Sequence, residues 1–98
     1  MPQNDDGFRH GLTAWTVSEH ANREMRRRNI DRELLETVLS APEQTISVSP
    51  TRVVMQSRHA RRERTYLLRV FVDIDRNPPV VVTAYLNSKV DKYWGEET

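Results

Sequence analysis

The hydrophobic period of this chain changes at Pro42. Ahead of it, Val17, Ala21, Met25 and Arg28 recur at helical spacing as a thin stripe, and Leu34, Leu35, Val38 and Leu39 form a much stronger one. Ser18 is placed to cap a first helix over about residues 19–28 by accepting from its free amides. Asn29 tolerates the left-handed backbone that closes a helix. Asp31 is placed to cap a second helix over about 32–41, which Pro42 stops.

Beyond Pro42 the spacing is that of strands. Residues 45–49, 52–57, 65–74 and 79–86 are rich in Val, Ile, Tyr and Phe, and turn-forming residues divide them. Ser49-Pro50-Thr51 and Asp75-Arg76-Asn77-Pro78 are the turns, while His59–Arg64 reads as a polar loop. Leu12–Val17 is a short strand or an extended lead-in to the first helix, and Trp94 is the residue placed to pack back at the far end. Strands joined by such short connections run antiparallel. Helices that come first then cover one face of the sheet. The expected fold is therefore α+β: two N-terminal helices on one face of an antiparallel sheet of three to four strands, with no helix between 64 and 86. The expected domain covers residues 12–94, flanked by a flexible arm (1–11) and tail (95–98).

Alternation sorts the side chains of that sheet. Tyr66, Leu68, Val70, Val72 and Ile74 share one face with Val53 and Met55, and with Val80, Val82, Ala84 and Leu86. Turning these toward the helices leaves Arg52, Gln56, Arg58, Arg69, Thr83 and Tyr85 on the other face. Arg69 stands out as the one charge inside the apolar run Tyr66–Val72.

Charge strengthens the interest of that face. The 98 residues carry a formal net charge of +1, with 15 Lys and Arg against 14 Asp and Glu. Four of the acids, Asp5, Asp6, Glu96 and Glu97, lie in the terminal segments, so residues 8–94 hold 15 basic side chains against 10 acidic ones. Nearly all of the bases are arginine, whose planar fork suits phosphate and stacks on bases. One cluster, containing Arg23 and Arg27, falls on the first helix; the other is Arg58, Arg61, Arg62 and Arg64. A solvated helix face and a solubilising loop are the plain alternatives to RNA contact at these six positions. His20, in the first turn of the first helix, is a candidate proton acceptor, and Tyr85 could stack on a base or pass a proton.

Other chemistries find little support. Cysteine is absent, His10, His20 and His59 lack metal-ligand spacing, and there is no glycine-rich phosphate loop. No metal and no cofactor are expected. No apolar run reaches the length of a membrane span and the polar start is unlike a signal peptide, so the expected location is the cytoplasm.

The order Glu19-His20-Ala21, Arg28-Asn29-Ile30-Asp31, Val38-Leu39 and Pro42, followed by Leu68-Arg69-Val70, Val82-Thr83-Ala84-Tyr85, Ser88-Lys89 and Lys92-Tyr93-Trp94, resembles a family of small bacterial domains of unassigned function. That family is grouped with the RelE-like and BrnT-like toxins of the barnase–EndoU–colicin–RelE nuclease assemblage. The resemblance covers about residues 15–94. It implies a RelE-like curved sheet and metal-independent cleavage of RNA through the ribose 2′-hydroxyl, on free or ribosome-bound RNA, restrained by an antitoxin protein. It also implies roles for five residues: His20 as base or acid, Arg69 and Arg58 binding phosphate, and Tyr85 and Lys89 supporting the reaction. Asn29 stands where the family commonly has a helix-closing glycine, and the arginine-rich loop His59–Arg64 is a further departure. Two other readings use the same surface. One is a non-catalytic RNA- or DNA-binding module; the other is a protein-interaction domain whose arginines meet an acidic partner.

Overall fold

In the computed structural model, which describes residues 11–95, both helix caps form as the sequence predicts. Helix α1 (Glu19–Arg27) begins where Ser18 Oγ accepts from the Ala21 amide at 3.0 Å. Helix α2 (Arg32–Ser40) begins where Asp31 Oδ1 accepts from the Leu34 amide at 2.8 Å. Between them Asn29 takes the left-handed backbone, φ 57°. The expected arm and tail lie outside the described residues except at their inner ends, Gly11 and Gly95, which are ordered against the domain.

Five strands follow the order β1-β5-β4-β3-β2: β1 (Thr16–Val17), β2 (Gln44–Ser49), β3 (Arg52–Arg61), β4 (Arg64–Asp73) and β5 (Val80–Asn87). A helical turn, α3 (Val90–Tyr93), ends the described chain. The fold is α+β, but the sheet is mixed and has one strand more than expected. The extra strand is the lead-in, which narrows to Thr16–Val17 and pairs parallel to β5 at Val80 and Val81. Its direction is set by α1, which must leave it along β5. Past Val81 the outer edge of β5 has no strand partner among the described residues, and Arg28 covers it by donating from Nη1 to the Ala84 carbonyl at 3.4 Å.

Two further expectations are corrected. Residues 59–61 and 64 are strand rather than loop. Strands β3 and β4 stay in register from Arg52↔Asp73 to Arg61↔Arg64, and the turn is only Arg62-Glu63, both at positive φ. Polar residues on both faces of this projecting hairpin hide the alternation, and neither turn residue is the Gly or Asn that such a backbone usually recruits. In β5, a register shift opposite Phe71 and Val72 replaces the expected alternation, so that Val81, not Val80 and Val82, joins Ala84 in the core.

The core lies between the helices and one sheet face. Ala21, Met25, Leu35, Val38 and Leu39 meet Val53, Met55, Leu68, Val70, Val72, Val81 and Ala84, all buried. The opposite face carries Arg69 and Tyr85 as expected, but it is not bare. Val54, Gln56 and Leu67 on that side are also buried, and α3 packs over β4 there. Gln56, expected on display, is the only buried polar residue among those described.

Candidate functional site

Arg69 is the centre of the second face. Register places it between Gln56 on β3 and Tyr85 on β5. Its Nε donates to Gln56 Oε1 at 2.8 Å and its Nη1 to Tyr85 Oη at 2.9 Å. Three rings surround the guanidinium, with centroids 4.6 Å (Tyr93), 5.4 Å (Phe71) and 5.9 Å (Tyr85) from its carbon. Arg69 makes no ion pair among the described residues. Of the five N–H groups of a guanidinium, two are thus committed to neutral acceptors and three have no partner among the described residues. Tyr85 accepts with its oxygen, so its own hydrogen remains available to a ligand.

Gln56 holds this arrangement from below. Its Nε2 donates to Gln44 Oε1 at 2.8 Å and to the Tyr93 carbonyl at 3.0 Å. Gln44 in turn bonds both the amide and the carbonyl of Gly95, at 3.0 and 3.2 Å. A continuous chain of hydrogen bonds therefore runs from Gly95 through Gln44, Gln56 and Arg69 to Tyr85. It ties the C-terminal turn over the sheet and aims the guanidinium. Trp94 packs back as the sequence suggests, with Arg58 lying 4.7 Å from its ring centroid.

The other candidate residues are dispersed. His20 is exposed on α1, a helix packed on the opposite sheet face, and makes no hydrogen bond or ion pair with Arg69 or Tyr85 among the described residues. Lys89 is exposed between β5 and α3, its backbone amide donating to Asn87 Oδ1 at 2.7 Å. Arg23 and Arg27 pair along α1 with Glu19 (3.9 Å) and Glu24 (2.6 Å). Arg61 donates to the Asn29 carbonyl at 3.0 Å, on the helix side of the sheet. Arg62 and Arg64 are exposed at the hairpin tip. Arg58 shares the face of Arg69, but Glu43 engages its Nε and Nη2 at 3.1 and 3.0 Å. Arg52 is likewise engaged by Asp73, at 2.6 Å. The cationic face expected from the sequence is thus reduced at its centre to one uncompensated arginine. Phe71 and Tyr93 are the additions that the sequence reading did not single out, although Phe71 shares the parity of Arg69 in β4.

The two ion pairs on this face make stability depend on pH. The Arg58 side chain and backbone amide hold the Glu43 carboxyl below its usual range, against a smaller opposing effect of burial. The Arg52 guanidinium does the same for Asp73. A carboxyl depressed in the folded state contributes fully above its unfolded pKa, about 4, and that contribution disappears as pH falls through the lower folded value. Thermal melts should therefore show a falling midpoint from about pH 5 downward. Glu43→Gln and Asp73→Asn combined should flatten the fall; an unchanged acid limb in that variant would assign the loss to other groups.

A family model described as a domain of unknown function, DUF4258, matches residues 17–86, from β1 almost to the end of β5. The chain belongs to this family. The match takes in both long helices, the hairpin, Gln56, Arg69 and Tyr85, and stops short of Lys89 and the C-terminal turn. No curated protein and no solved structure matches the chain. Among the described residues there is no group of three or more His, Asp or Glu side chains that could hold a metal, and no helix long and apolar enough to cross a membrane.

Proposed function

We propose that this DUF4258 chain binds RNA by its phosphate backbone on the Arg69 face. The observation that carries the reading is the neutral setting of Arg69: Gln56 and Tyr85 orient it and rings surround it, but among the described residues no carboxylate compensates it. An arginine kept for structure alone would be expected to meet an acid, as Arg52 and Arg58 do on the same face. An arginine aimed by neutral groups keeps its charge for an external oxyanion, and charge-assisted contacts of this kind are the stronger hydrogen bonds.

A second reading, toxin-like cleavage of RNA through its 2′-hydroxyl, draws support from Tyr85. As the 2′-oxygen bonds to phosphorus and gives up its proton to water, the phenol that accepts from Arg69 can donate its hydrogen to the departing 5′-oxygen, while the guanidinium meets the charge growing on the non-bridging phosphoryl oxygens. His20 stands apart from this pair, so the cleavage reading rests on Arg69 and Tyr85. In it, an antitoxin-type partner would act by covering this same face.

Fluorescence anisotropy with a labelled single-stranded RNA in EDTA tests binding, and gel analysis of the same mixtures tests cleavage. Arg69→Ala should weaken binding about 10–100-fold at low salt, the size expected for one charged contact worth about 1.5–3 kcal/mol. Unchanged affinity in a folded Arg69→Ala variant would move the interface elsewhere. No affinity in the wild type would favour a protein partner instead. Intact RNA after prolonged incubation would leave binding as the whole activity.

A further inference from the structure

Beside Arg69 the same face carries a pair of aromatic rings that the phosphate contact does not use. Phe71 and Tyr85, diagonal neighbours on β4 and β5, have centroids 6.1 Å apart and ring planes within 25° of each other. Both are partly exposed, and Phe71 lies outside the main core, on the face turned away from α1 and α2. Across β5 the residue opposite Phe71 is Thr83, small and uncharged.

We infer that Phe71 and Tyr85 form a stacking platform for an unpaired nucleobase, immediately beside the arginine that takes the phosphate. This rests on the RNA reading and narrows its ligand to single-stranded RNA. Base faces are covered by their neighbours in a duplex and become available to a protein ring only when the base is unstacked. Stacking on aromatic side chains is tolerant of sequence, because every base has a π-face. The platform therefore gives preference for strandedness rather than for a particular base. Ordinary cross-strand packing would account for two neighbouring rings. It does not account for placing them around a guanidinium with three N–H groups unpartnered among the described residues, where one nucleotide could engage ring and cation together.

The test compares a short single-stranded oligoribonucleotide with an abasic sugar-phosphate oligomer of the same length and charge. Wild-type protein should bind the abasic strand about 10–100-fold more weakly, from about 1–3 kcal/mol per stacked base. Phe71→Leu, which keeps an apolar side chain in place, should shrink that ratio while leaving the salt slope of RNA binding unchanged. Tyr85→Phe keeps the ring but loses the hydroxyl; it should lower both affinities and preserve their ratio. Equal binding of the two strands by the wild type would overturn the platform and leave the phosphate reading intact. So would a ratio that persists in Phe71→Leu. Failure of both strands to bind at low salt would instead remove the RNA reading itself.

Discussion

Gln56→Leu should cost about 2–4 kcal/mol of folding stability, even though leucine matches the volume and suits a buried strand position. Gln56 is fully buried, and each end of its amide is in use. Leucine would leave the Arg69 Nε–H and the Tyr93 carbonyl without these partners, and would leave Gln44 Oε1 with the Gly95 amide alone; a buried polar group without its partner costs about 1–3 kcal/mol. Water admitted by loosening of the C-terminal turn recovers part of this, which sets the lower end of the range. Urea unfolding measures the loss. The same variant should bind RNA about tenfold more weakly, because Arg69 would keep its charge but lose its aim. In a double-mutant cycle with Arg69→Ala, the two substitutions should be strongly non-additive in both stability and affinity, as expected for members of one network. Additive effects, or a stability loss below about 0.5 kcal/mol, would show that the network does not position Arg69.

This network also marks where sequence reading stopped. The helices were legible because each carries its own cap, Ser18 or Asp31, and an apolar stripe that a single period describes. Arg69 was legible because one charge interrupts an apolar run, and Tyr85 because parity set it on the same face. Three features were not. The register shift opposite Phe71 and Val72 is a single-residue irregularity in β5, and in Val80-Val81-Val82 identical side chains erase the alternation that would reveal it. The hairpin tip was concealed by arginines on both faces. The pairing of Glu43 with Arg58 and of Asp73 with Arg52 joins different strands or a strand and its approach, so no local pattern announces it. That last gap changed the site most, because it converts a row of cations into one arginine without an ion pair among the described residues. The covering of this face by Tyr93 and Trp94 was only hinted at, since a helical turn of four residues is too short to show a period.

Gly11→Ala should destabilise the fold by about 2–4 kcal/mol, from backbone strain and from release of the residue that follows. Gly11 has φ +99°, a conformation that a Cβ disfavours. The added carbon would also lie 2.2 Å from the Ser40 carbonyl oxygen and 2.7 Å from that of Leu39. Both obstacles are backbone at the end of α2, so neither can swing aside as a side-chain tip would. Relief requires the chain entering the domain to lift away. That would weaken the bond from the Leu12 amide to the Leu39 carbonyl, now 2.7 Å, and withdraw Leu12 from the core, where it is 8% exposed. Positive-φ strain contributes about 1–2 kcal/mol. Partial exposure of the leucine adds a share of the about 1.5–3 kcal/mol that its full burial is worth. Gly95→Ala is the matched control at the other end of the described chain. Its Cβ would meet chiefly the Cδ1 of Ile46, at 2.6 Å, the end of a side chain that can change rotamer. The control should lose less than about 1 kcal/mol, the usual scale of a ~30° departure from a rotamer. Chemical denaturation of both variants decides the point: equal losses would mean that the Gly11 approach to α2 is not a fixed contact of the folded chain.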